Sequence, residues 1–150
     1  MVPLARSRKI VCLLAFFSLL GTPATAHQVQ RVGEVSGLLH IEPQDNLKAG
    51  RSTLIWIALT SRGGQIIPLA RCDCHLTVYR APHAAGSPAL QTPPLRAISV
   101  RQYQGILGAK IVFPTAGAYE LDLSGAPRAG GKFKSFSKMS YTVTATTSTP

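Results

Sequence analysis

The groups in this chain with chemistry to offer are four histidines, three cysteines and six acidic side chains. His27 follows Ala24-Thr25-Ala26, a small-x-small motif of the kind that signal peptidases cut. Cleavage there makes His27 the first residue, with its α-amine and a ring nitrogen free to chelate one ion. That chelate suits Cu(II), whose affinity for nitrogen donors tops the divalent series. Further nitrogen donors are His40, His75 and His83, and Cys72 and Cys74 are soft donors for Cu(I) or Zn(II). The metal set read from the sequence is therefore His27, His40, Cys72, Cys74 and His75, with copper as the expected ion. Cys74 and His75 point to opposite faces of a regular strand, so sharing an ion would require a bulge.

Other chemistry is poorly represented. There is no G-x-S-x-G, no H-E-x-x-H, no phosphate-cradling glycine loop and no dinucleotide fingerprint. The acidic residues Glu34, Glu42, Asp45, Asp73, Glu120 and Asp122 form no evident catalytic pair. Glu120 and Asp122 read as a solvated strand face, and no enzymatic activity is expected. A disulfide is the other use for Cys72 and Cys74. Residues i and i+2 of a strand have Cα atoms roughly 6.5–7 Å apart, so a bridge requires a kink and would be strained and easily reduced. A redox role would further require an exposed pair beside positive charge, which neighbouring Arg71 and Arg80 could supply.

The segments that must position these groups come after a targeting segment. Arg6, Arg8 and Lys9 precede the apolar run Ile10–Leu20, then a Gly21-Thr22-Pro23 break and the cleavage motif. The organisation expected is a signal peptide at 1–26, one domain at 27–145 and a flexible tail at 146–150, exported to the periplasm without a stable membrane anchor. The formal charge of the whole chain is +10, with three of the sixteen basic residues in the leader. The rest are dispersed, apart from Lys132, Lys134 and Lys138 in a strand-like KFKSFSK run. That pattern reads as a solvated strand face, and no nucleic-acid partner is expected.

Short β-rich runs separated by turn signals cover the rest. Gln28–Ser36 reads as an edge strand and Leu38–Glu42 as the next. Ser52–Thr60 (STLIWIALT) ends at Gly63-Gly64, and Gln65–Ala70 carries Pro68, a mark of an edge or bulge. Cys72–Tyr79 alternates, with Cys72, Cys74, Leu76 and Val78 on one face. Ala81–Pro94 is a surface loop, and strands follow at Leu95–Val100, Ala109–Phe113, Ala118–Leu123 and Lys132–Ala145. No helical periodicity is sustained. The pattern predicts an all-β, antiparallel sandwich of about seven to eight strands. Tyr119, two residues after Gly117 at the head of an inward strand, is either a tyrosine corner of the immunoglobulin type or an ordinary core aromatic.

His27, AGRSTLIWIALTSRGGQIIP and FPTAGAYELDLSG together resemble the small exported immunoglobulin-like domains of the YtkA and CopC-like type. HIEPQDNLKAG and CDCHLTVYR also resemble uncharacterised cyanobacterial exported proteins. The resemblance implies an immunoglobulin-like sandwich in the periplasm that handles copper through the N-terminal histidine, here His27. The second histidine of that group, in a late Asp-x-His, has no counterpart, because no histidine follows His83. The expectation is a periplasmic, non-enzymatic sandwich that binds copper. The alternative is a module that docks an unidentified protein partner without metal.

Overall fold

In the computed structural model the described residues are 27–43 and 46–148. The targeting segment read at 1–26 lies outside them, as do the last two residues of the expected tail. The described residues form nine strands: β1 Gln28–Val32, β2 Val35–Glu42, β3 Ser52–Thr60, β4 Ile66–Ile67, β5 Cys72–Arg80, β6 Arg96–Val100, β7 Tyr103–Val112, β8 Gly117–Pro127 and β9 Phe136–Ala145. A 3₁₀ turn at Leu69–Arg71 precedes β5.

The strands pair in two antiparallel sheets, β1-β2-β3-β7-β6 and β5-β8-β9, with β4 appended to β3. The order β2-β3-β7-β6 facing β5-β8-β9 matches the four-on-three arrangement of constant-type immunoglobulin domains, preceded here by one extra strand, β1. The expected all-β immunoglobulin-like sandwich is the fold. Two of the expected runs have different bounds. Gln28–Ser36 is a hairpin rather than one strand, turned over Gly33 (φ 59°) and Glu34 so that Val32 pairs with Val35. The Gln65–Ala70 run keeps only two paired residues before Pro68 diverts it into the 3₁₀ turn.

Period-2 alternation builds the core. Val35, Leu39, Ile41, Ile55, Ile57, Leu59, Leu107 and Ile111 of the larger sheet face Leu76, Val78, Tyr119, Leu121, Leu123, Met139, Tyr141 and Val143 of the smaller one. Gly37 occupies an inward position of β2 where a Cβ would run into the Tyr141 hydroxyl and lie 2.5 Å from Met139 Sδ. The glycine lets β2 sit directly over those two side chains. Tyr119 is a tyrosine corner. Its hydroxyl donates to the Thr115 carbonyl at 2.6 Å and accepts from Arg80 Nη1 at 2.7 Å and from the Thr115 N–H at 3.3 Å.

Two further expectations change. The basic KFKSFSK run is not one strand: β9 begins at Phe136, Phe133 and Phe136 both turn into the core, and only Lys138 lies on the strand. The end of the chain is fastened as far as Ser148. Thr146 N–H donates to the Leu47 carbonyl at 2.9 Å, and Ser148 Oγ donates to the Ala49 carbonyl at 2.6 Å.

Candidate metal centre

Alternation along β2 sends Leu38, His40 and Glu42 to the outer face of the larger sheet, while their neighbours enter the core. His40 pairs with Trp56 of β3. On its other side, Gln28 of β1 pairs with Leu39, so His27 falls opposite His40 one position further on. One rung across three strands therefore carries His27, His40 and Trp56, and the rings follow it. His27 stacks on His40 at 4.6 Å between centroids, His40 packs on Trp56 at 4.7 Å, and Trp56 packs on Tyr103 at 5.7 Å. Trp56, Ala58 and Ile106 form a small apolar cluster of their own, with Leu38 and Tyr103 packed against it.

The two imidazoles meet through equivalent atoms, with His27 Nδ1 3.1 Å from His40 Nδ1. The other nitrogen of His40, Nε2, lies 3.2 Å from Glu42 Oε1, which also accepts the Trp56 indole N–H at 3.4 Å. A carboxylate at Nε2 favours the tautomer protonated there and leaves the Nδ1 lone pair aimed at His27. Ligating histidines commonly have a carboxylate at the far nitrogen, and here Glu42 stands at Nε2 at ion-pair distance. The spacing also fits a shared ion. Nitrogens bound at roughly 2.0–2.1 Å lie roughly 2.9 Å apart at right angles and roughly 3.3 Å apart in a tetrahedron. His40 has 6% of its side chain exposed, whereas His27 sits at the surface where an ion could arrive.

The remaining members of the expected set lie elsewhere. Cys72 and Cys74 are on the inward face of β5, in the other sheet, and they are joined as a disulfide with Cα atoms 5.2 Å apart. That separation is shorter than regular strand spacing, which is the local contraction a C-x-C bridge requires. Bridged sulfurs are not thiolate ligands, so the pair joins neither His27 nor His75 around an ion. The exposure a redox role would need is also lacking, since Cys72 is 0% and Cys74 8% exposed. Arg71 and Arg80 are directed to the Ala129 carbonyl and the Tyr119 hydroxyl. His75 points outward into solvent, 3.6 Å from Asp73. A hydrogen bond from the Arg128 guanidinium holds the Asp73 carboxyl below its ordinary range.

Two features escaped the sequence reading. Glu42 is the orienting partner of His40, and the H-x-E spacing on one strand face was its signal. Glu120 and Asp122 do face outward, but the Ala81–Pro94 loop lays His83 over them, so they are half-buried rather than freely solvated.

No protein-family model and no curated protein sequence matches the chain. Among solved structures, the crystal structure of a DUF4426 family protein from Pseudomonas aeruginosa PAO1 is similar in fold. It is 13% identical with a TM-score of 0.49, over 79% of this chain and 94% of that one.

Proposed function

We propose that this chain is an exported, periplasmic, non-enzymatic immunoglobulin-like sandwich that binds copper at an N-terminal histidine pair. His27 supplies its α-amine and Nδ1, His40 supplies Nδ1, and Glu42 positions His40 without ligating. The reading is carried by one observation: the Nδ1 atoms of His27 and His40 approach to 3.1 Å with a carboxylate behind His40. An all-nitrogen donor set of this kind suits Cu(II) better than the other divalent first-row ions. The basic n-region, apolar run and Ala24-Thr25-Ala26 motif support export and a chain that starts at His27. The resemblance to the CopC-like group points the same way, with His40 of β2 standing in for the missing late histidine. Copper is cargo in this reading, bound and released, and the protein itself assigns it no reaction.

The test is a titration with Cu(II), and separately with Cu(I), of protein starting at His27 and of protein carrying one extra residue before it. Stoichiometric Cu(II) uptake that collapses on adding the residue, and that falls in His40→Ala, is the expected result. Indifference to copper in both forms overturns the reading and leaves a docking module in its place.

A further inference from the structure

A second group of metal-ligating side chains meets on the opposite side of the sandwich, on the outer face of β5-β8-β9. Glu120 and Asp122 are i and i+2 on β8 and share that face, opposite Tyr79 and Thr77 of β5. The Ala81–Pro94 loop folds back over them. It lays the His83 imidazole flat on the Tyr79 ring, with centroids 3.9 Å apart and planes within 2°. Stacking fixes the plane of the imidazole, and both its nitrogens then face carboxylates. Nδ1 is 2.7 Å from Glu120 Oε2 and Nε2 is 3.3 Å from Asp122 Oδ2.

We infer that His83, Glu120 and Asp122 form a second cation site, for a divalent ion of the Zn(II) class. The site is independent of the His27–His40 pair and shares no residue with it. The His83 side chain is only 9% exposed, and its Nδ1 is buried with no hydrogen-bond partner despite the 2.7 Å contact with Glu120. The 2.7 Å approach is at ion-pair distance but lacks hydrogen-bond geometry. A buried nitrogen left in that state is costly unless something else engages it. Two ligand-capable atoms this close without a hydrogen bond between them can both serve a third atom. One ligand atom from each of the three residues lies within 4.8 Å of the others. An imidazole with two carboxylates is a borderline-hard donor set, which Zn(II) accepts in tetrahedral sites. From β9, Lys138 Nζ reaches Asp122 Oδ2 at 3.2 Å and Ser140 Oγ donates to Asp122 Oδ1. The lysine side chain is 54% exposed, so it has solvent to retreat into when an ion binds. A bound ion would tie the Ala81–Pro94 loop to β8, a cross-link between segments remote in sequence.

The test uses the chain starting at residue 27 with His27→Ala and His40→Ala, which removes the first site. Isothermal titration with zinc chloride should show one equivalent bound and a melting temperature that rises with zinc. His83→Ala, Glu120→Gln and Asp122→Asn should each weaken uptake at least tenfold. Near-isosteric Glu120→Gln guards against misfolding as the cause. Zinc added to the protein with native residues at 83, 120 and 122 should also shift the His83 ring resonances. No zinc uptake, uptake that the three substitutions leave within twofold, or an unmoved His83 ring overturns the proposal. In those cases the cluster is an imidazolium held between two carboxylates.

Discussion

The side-chain amide of Gln28 pairs with both backbone groups of Thr142, accepting its N–H at 3.3 Å and donating to its carbonyl. Alternation makes this possible. His27 goes to the outer face of the larger sheet, and Gln28 turns the other way, over the edge and onto β9 of the smaller sheet. The extra strand β1 is thereby pinned at its first residue, next to the histidine that the copper reading depends on.

Gln28→Ala is expected to cost about 1 kcal/mol of stability and to free the start of β1. Amide exchange at Thr142 should quicken, and Cu(II) affinity should fall several-fold although no ligand has been removed. Unchanged protection at Thr142 would refute the anchoring role.

Glu42→Gln tests the orientation of His40. The amide oxygen can still accept from Trp56, but the negative charge that favours a proton on His40 Nε2 is gone. Copper affinity is expected to fall about 10–100-fold, and nitrogen NMR should show the His40 tautomer becoming mixed. Thermal stability should change little, which separates positioning from folding.

How far the sequence discloses this arrangement depends on the distance over which each signal acts. Ser52–Thr60 is a strand end to end because its β-branched and aromatic residues and its flanking turns are all local. The burial alternation of Cys72 through Val78 is likewise written in period 2. The Gly33–Glu34 hairpin is harder to see, because Arg31-Val32-Gly33-Glu34-Val35 lacks the Asn-Gly or Asp-Gly signature of a tight turn. With that turn unread, the pairing of His27 with His40 could not be anticipated, since it is a matter of register. His83 is less legible still. Its place over Glu120 and Asp122 depends on how a Pro-rich loop packs on Tyr79, and residues 83 and 120 are remote in the chain.

Tyr119→Phe should cost about 1–3 kcal/mol. The phenol hydroxyl has four hydrogen-bond contacts at the corner, to Arg80 Nη1 and to the Thr115 N–H, carbonyl and Oγ1, and its removal leaves the Thr115 backbone carbonyl and N–H without that partner. Chemical denaturation gives the value, and Arg80→Ala, which removes only one of the four contacts, should cost less.

Burial pushes the Tyr141 phenol above its ordinary value, and the hydroxyl donates to Met139 Sδ at 3.0 Å. A raised folded-state pKa favours the neutral phenol. The contribution is therefore complete below the unfolded value of about 10 and is lost as pH rises above it. Each pH unit beyond that point should remove up to about 1.4 kcal/mol. Tyr141→Phe should melt like wild type to within about 1 kcal/mol at neutral pH and should show a shallower alkaline decline. Parallel declines for the two proteins between pH 9 and 11 would exclude Tyr141 as the source.

The Ala81–Pro94 loop also returns to its own strand. Val78 N–H donates to the Gln91 carbonyl at 2.8 Å, and Leu90 N–H donates to the Val78 carbonyl at 2.8 Å. Those bonds occupy the free edge of β5, just as Gln28 occupies the far edge of β9 at Thr142. Both margins of the three-stranded sheet are thus closed, at these points, to strand addition by another chain, the usual route by which exposed sheet edges recruit partners or aggregate. The larger sheet has its own margins, at β6 and along the outer side of β1.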